Sequence, residues 1–360
     1  SKRDALPLGK ALLIRGGILL LALVFCGLVT TLLTGQNPIS VYGTILEGAF
    51  GTSRRIGVTA RNVAMLLGIS LAVTPAFKMR FWNIGAEGQV LAGGLAAAAC
   101  MICLGGKLPN GLLIVLIVIA GIAAGAVWGV IPAIFKAKWN TNETLFTLMM
   151  NYIAIQLTSF AVSKWENPPG SNSIGTINSK GDVKYVGWIG NMFSDGYNKD
   201  FMWTVIVVLV LATLVYLYLK YTKHGYEIAV VGESQRTASY AGIKVERVIV
   251  RTMILSGAIC GLIGLLLTAG TDHTLTTTIV GGRGFTAVMV SWMAKFNPIM
   301  MIFTSLLIVV LSRGASEISS VFSLNHSFAD ILTGIILFFI IGSEFFITYK
   351  VSLRKGKKEA

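Results

Sequence analysis

The sequence predicts an all-α polytopic membrane protein of about ten transmembrane helices, with broken or re-entrant segments and both termini cytoplasmic. Three observations predict it. The mean hydropathy over 360 residues is +0.73, far above that of a water-soluble domain. Charged residues are only 13% of the chain, and they gather between apolar runs and at the two ends. The apolar runs recur at the length that crosses the hydrocarbon, roughly 20 residues each. The same figures exclude a disordered chain, a coiled coil and a secreted disulfide scaffold.

The elements follow in order. The run from Ala11 to Thr34, preceded by Lys2, Arg3 and Lys10, reads as a retained first span, because no small-residue cleavage site follows it. Ile39 to Phe50 is apolar but short and carries Glu47, so it is expected at the interface or packed as a helix. Spans are predicted over 56–77, 81–104, 111–135 and 145–162. A long polar stretch, 163–200, comes next, with Pro168, Pro169 and Gly170 near its start. Spans over 201–219 and 248–269 follow. The runs 279–294 and 298–311 are short and are read as one pair of passes, and 328–348 is the last span. Residues 1–348 thus form one transmembrane domain, followed by a basic tail, 349–360.

Charge sets the orientation. Lys and Arg number 30 against 16 Asp and Glu, a net charge of +14. With the N-terminus inside, twenty of the 30 basic residues face the cytoplasm, as the positive-inside rule requires. The stretch 163–200 is neutral, with Lys164, Lys180, Lys184 and Lys199 against Glu166, Asp182, Asp195 and Asp200, and is read as external. The basic excess therefore marks topology and not nucleic-acid binding. The tail, with Lys350, Arg354, Lys355, Lys357 and Lys358, is read the same way.

Little here can do covalent chemistry. No G-x-x-x-x-G-K-[ST] occurs, and Gly281, Gly282, Arg283 and Gly284 are followed by Phe285. His224, His273 and His326 fall in separate connections. Cys26, Cys100, Cys103 and Cys260 lie in apolar runs, and the Cys100–Cys103 pair lacks a second pair to complete a metal set. All four are read as buried small hydrophobes. The chain is expected to bind no metal or cofactor and not to be an enzyme.

Two segments carry polar signals. The third span opens as F-W-N-I-G-A-E-G-Q, residues 81–89. Glu87 is costly in hydrocarbon unless paired, and Gly85 and Gly88 let the backbone open. It marks either the edge or hinge of a translocation path, or a helix cap that ties neighbouring helices together. Asn83, Asn151 and Gln156 add amides, and Phe81, Trp82, Tyr152 and Phe285 add ring faces. That inventory suits an uncharged polar cargo such as a sugar or nucleoside. Small-residue faces at Gly93 and Gly94 and at Gly257, Gly261 and Gly264 predict a tight bundle. The second segment is the cytoplasmic loop 220–247. A short helix is predicted from Ser234, its N-cap, to Tyr240, with Gly242 ending it. Ala238 and Ala241 would show a small face able to lodge in a groove of another protein.

These segments, with L-M-M-N-Y-I-A from Leu148, V-G-E-S-Q-R-T-A-S-Y-A-G-I from Val231, L-S-G-A-I-C-G-L-I-G from Leu255 and G-G-R-G-F-T-A from Gly281, carry a resemblance. The chain resembles the permease subunits of bacterial ATP-binding-cassette (ABC) importers for nucleosides and simple sugars, in the branch served by basic membrane lipoproteins. The likeness spans about residues 10–348. It implies ten helices in the bacterial cytoplasmic membrane and a second permease chain as partner. It also implies a cytoplasmic ATPase with two nucleotide-binding domains, which would hold the ATP and Mg, and an external lipoprotein that delivers nucleosides. Gly232, Glu233, Arg236, Ala238, Ala241, Gly242 and Ile243 would form the coupling segment. Phe81, Trp82, Asn83, Gly85, Glu87, Gly88, Gln89, Asn151 and Phe285 would belong to the translocation path or its hinge. The run T-A-V-M-V-S-W-M-A-K-F-N-P after Phe285, and Ser239 where arginine is common, depart from the pattern and bear on cargo. The alternatives are a permease for simple sugars or another small polar solute, and a secondary transporter. The latter would need an internal repeat and a coupling-ion site, and the halves show no echo of one another.

Overall fold

A computed structural model describes residues 8–35, 37–189 and 200–322, with isolated positions between 327 and 342. Described residues form twelve α-helices. They are α1 (Leu8–Thr34), α2 (Pro38–Phe50), α3 (Ser53–Lys78), α4 (Ala86–Leu104), α5 (Asn110–Trp139), α6 (Glu143–Trp165), α7 (Asp200–Tyr221), α8 (Lys223–Glu233), α9 (Gln235–Tyr240), α10 (Val245–Leu265), α11 (Arg283–Met293) and α12 (Pro298–Val321). A π-helical turn, Leu266–Thr271, prolongs α10. Among the described residues seven helices are long and apolar enough to cross a membrane. Of the predicted last span, 328–348, only isolated positions are described, and the basic tail and residues 190–199 lie outside the described residues.

The elements divide into two compact units, residues 1–59 with 307–360, and residues 60–306. In the first, Cys26, Val41, Leu311, Ala315 and Ile318 are buried together. α2 begins where Asn37 accepts a bond from the Ile39 amide and Pro38 takes the first turn, a position where a missing N–H costs nothing. Arg55 donates to Glu317 at 2.5 Å. That pair explains a correction. Sequence pattern ends the apolar run at Leu311, but α12 continues to Val321 because its carboxylate is neutralised inside the protein.

The second unit is built on a glycine seam. A Cβ on Gly264 of α10 would strike the Val90 carbonyl of α4, and one on Gly93 would strike the Gly261 backbone. The same small-residue stripe of α10 also meets α5: Gly257 and Gly261 abut its backbone at Gly125 and Gly121. Lipid offers no hydrophobic drive between helices, so such close backbone approach supplies the dispersion that holds them.

Two further differences from the sequence reading concern where helices stop. α4 starts at Ala86 and not at residue 81, because 81–85 is non-helical. The pass expected over 279–294 is broken: an irregular stretch, 272–282, leads into α11, whose 11 residues span only about 16 Å. α12, at 24 residues, is by contrast a full span, so the supposed pair of short passes is a half-helix and a whole one. Two of the four thiols also differ from expectation. Cys26 and Cys260 are buried, whereas Cys100 is half-buried and Cys103 exposed on the outer turn of α4.

Gly261→Leu should block the α5–α10 approach and cost about 1–3 kcal/mol or more of stability, seen as a lower denaturant midpoint of the purified chain. Gly111→Leu, with open space around it, should leave the midpoint unchanged.

Candidate functional site

The opening of α4 is held from three sides. Asn151 of α6 accepts a bond from the Gly88 amide at 2.8 Å and donates to the Ile84 carbonyl at 2.9 Å. Thr147, one helical turn earlier, accepts from the Ile84 amide at 3.3 Å. Asn83 accepts from the Gly85 amide at 3.1 Å and from Gln89 at 3.2 Å, and donates to Ser256 of α10 at 3.1 Å. The backbone groups freed by opening the helix are therefore satisfied by side-chain amides, as irregular backbone at membrane depth requires.

Glu87 caps a helix start, but not that of its own helix. Its two carboxylate oxygens accept from the Gly282 amide at 2.9 Å and the Gly284 amide at 2.8 Å, the first turn of α11. The orphan donors at the start of the half-helix are thus met by both oxygens of one carboxyl group. Gly282 holds φ at +74°, a left-handed conformation that suits glycine, and a Cβ on Gly284 would collide with the Glu87 backbone and carboxylate.

Around this contact lies a polar set that sequence reasoning missed. Arg283 donates to the Ile279 and Val280 carbonyls at 3.3 and 3.4 Å and to Asn62 of α3 at 3.4 Å. Arg61, also on α3, pairs with Asp272 at 2.8 Å, just where the π turn releases the chain. The glycine-rich run at 281–284 was visible in the sequence. Its backbone amides, which do the binding, have no side-chain signature.

The site residues read from the sequence fall into three groups. Phe81, Asn83, Gly85, Glu87, Gly88, Gln89 and Asn151 come together, buried and joined by the bonds above. Trp82 and Phe285 are each 44% exposed and lie outside that network. Gly232, Glu233, Arg236, Ala238, Ala241, Gly242 and Ile243 lie apart, in the α8–α9 segment and the turn after it.

That segment is firmly built. Ser234 caps α9 by accepting from the Thr237 amide at 3.2 Å, and Gly242 closes it at φ +78° with the Ile243 amide donating to the Ala238 carbonyl. One expectation is corrected: Ala238 and Ala241 do not share an outward face. Ala238 is fully buried in its own chain, while Tyr240 is 93% exposed and Ala241, Arg236 and Glu233 are exposed with it. Gly232 backs directly onto the Lys78 carbonyl at the end of α3. Glu227 anchors α8 to Arg251 at 2.9 Å. No group of three side chains able to hold a metal ion occurs among the described residues.

A family model described as "Branched-chain amino acid transport system / permease component" matches residues 56–341, across the α4 opening, the α8–α9 segment and α11. The chain belongs to this family. It is 29% identical to the guanosine ABC transporter permease protein NupP of Bacillus subtilis (strain 168), over 88% of the chain and 89% of that protein. It is 27% identical to the glucose ABC transporter permease protein TsgB13 of Haloferax volcanii, over 92% and 88%. It is 28% identical to the nucleoside ABC transporter permease protein NupB of Lactococcus lactis subsp. cremoris, over 89% of each. The protein is an ABC-importer permease subunit of the branched-chain, sugar and nucleoside superfamily. It is a multi-pass membrane protein, in keeping with a bacterial inner-membrane permease, and a transport component and not an enzyme.

Two outcomes follow from this geometry. Glu87→Gln keeps an acceptor for one α11 amide and should retain the fold and much of the transport. Glu87→Leu strands both amides at a cost of about 1–3 kcal/mol each and should lose folded yield and uptake together. Folded yield by size exclusion and uptake at matched expression check this. The second concerns α8, which lies outside the spans. Arg251, chiefly by its hydrogen bond, holds the Glu227 carboxyl below its ordinary 4.5. The pair therefore contributes fully above pH 4.5, and its contribution is lost as pH falls through the lowered value. Limited proteolysis of 222–244 should rise below pH 4.5 in the wild type. Glu227→Gln should show the raised cleavage already at neutral pH.

Proposed function

We propose that this permease serves an importer of nucleosides, that is, purine and pyrimidine ribosides. In this reading it pairs with a second, different permease chain and receives cargo from an external lipoprotein. A cytoplasmic ATPase with two nucleotide-binding domains, holding ATP and Mg, drives it. The observation that carries the reading is the extended similarity to NupP along most of both chains. The chemistry agrees with an uncharged cargo: the Glu87 carboxyl is taken up by the α11 backbone amides and Arg61 pairs with Asp272, so an exposed ring face at Phe285 is left for recognition.

Within that scheme the saturated side chains of 81–89 and Asn151 act as the hinge that carries α11. Phe285, outside the network, is the ring face left for the path. Energy enters through α9, whose outward side is led by Tyr240 with Ala241 and Arg236, while Ala238 positions the helix from beneath. The loop after α6 is external and the α8–α9 segment cytoplasmic. A simple-sugar cargo is the second reading, favoured by the likeness to TsgB13.

Deleting the gene should abolish uptake of labelled guanosine or uridine and leave glucose uptake intact. Loss of glucose uptake with normal nucleoside uptake would reverse the assignment. For coupling, Ala241→Trp should reduce co-purification of the ATPase roughly 5- to 150-fold. Full recovery of the ATPase, with normal stimulation by the loaded binding protein, would remove α9 from the coupling path.

A further inference from the structure

Outside the buried network, a cavity of about 390 Å³ opens between the end of α3 and the end of α11. Phe77, Trp82, Trp292 and Phe296 form its walls, and Lys78 and Arg80 stand among them. The two indoles stack at 5.5 Å, Phe77 meets both edge-on, and Phe296 meets Trp292 edge-on. Trp82 and Trp292 are 44% and 47% exposed. The aromatic body is thus a rigid, preassembled surface that faces outward.

Its charge is not balanced. Among the described residues Lys78 and Arg80 make no ion pair or side-chain hydrogen bond. Both helices also end in the same unusual way. The Phe81 amide donates to the Ala76 carbonyl around Arg80 at φ +59°, and the Phe296 amide donates to the Ser291 carbonyl around Lys295 at φ +50°. Glycine takes this left-handed cap position cheaply, whereas a side chain there costs of order 1 kcal/mol. At both ends a cation occupies it instead.

Aromatic faces beneath unpaired cations, at the end of a membrane-spanning helix, match a molecule with an anionic head and an apolar body. We propose that this recess binds an anionic phospholipid, its phosphate held by Lys78 and Arg80 and its glycerol region lying on Trp82 and Trp292. Gly232 of α8 packs directly on the Lys78 carbonyl, so the bound lipid would brace the end of α3 where α8 meets it.

The test uses the full chain in nanodiscs with phosphatidylglycerol or phosphatidylcholine brominated near the glycerol. Tryptophan quenching by the brominated phosphatidylglycerol should show a preference of about ten- to thirtyfold, the worth of two cations at a lipid surface. Lys78→Gln with Arg80→Gln should reduce the preference below about twofold, while Lys78→Arg with Arg80→Lys should keep most of it. Trp82→Phe with Trp292→Phe should remove the quenched component itself, and this pair carries the test if the double glutamine variant does not fold. Equal quenching by both lipids, or an unchanged preference in the double glutamine variant, would overturn the proposal and leave the cations as helix caps. Displacement of the lipid by adenosine monophosphate at matched phosphate concentration would overturn it in favour of a soluble aromatic phosphate.

Discussion

The carboxylate of Glu87 on the first turn of α11 is the interaction around which the 60–306 unit is arranged. A half-helix that begins inside a bilayer exposes backbone donors that lipid cannot satisfy, and its dipole adds positive potential at the same point. One acidic side chain from α4, set against those donors, answers both demands. That solution imposes others in turn. Glu87 must sit in the first turn of a helix whose start is anchored, which is the work of Asn151, Thr147 and Asn83. Gly284 must lack a side chain, because the two backbones meet there.

The glycine seam gives this contact a stable base. α10 lies between α4 and α5 at backbone distance, so the position of Val90, and with it the Glu87 turn, follows from Gly264 and Gly261. Asn83 reaches Ser256 on the same helix. Beyond the seam the π turn redirects the chain, and Asp272 emerges opposite Arg61. The irregular segment 272–282 is thus tied at its start to α3 by an ion pair and at its end to α4 by a carboxylate. Between those ties the Ile177 amide donates to the His273 carbonyl and Arg283 to the Ile279 and Val280 carbonyls, so the non-helical backbone is held along its length by protein, as a broken transporter helix requires.

The aromatic run after Phe285 takes on meaning in that setting. Trp292 and Phe296 do not enter the buried network. They build, with Phe77 and Trp82, an aromatic surface at the far end of α11. One half-helix therefore has two unlike ends, a glycine-rich start clasped by a carboxylate and an aromatic, basic finish beside the α8–α9 segment.

Much of this was determined by sequence alone. Hydropathy and run length determine that helices cross a membrane, because the hydrocarbon thickness admits few other solutions. Ser234 and Gly242 mark the ends of α9 because caps are local chemistry. Glu87 declares itself polar in an apolar run, so some internal partner had to exist. Which partner was a tertiary matter: the backbone amides of Gly282 and Gly284 lie nearly 200 residues away and carry no side-chain sign of their role. The end of α12 was misplaced for the same reason, since the Arg55–Glu317 pair exists only in the folded unit. Ala238 and Ala241 looked equivalent in sequence, but burial set them apart, because a short helix shows its outward face only once it is seated on a neighbour.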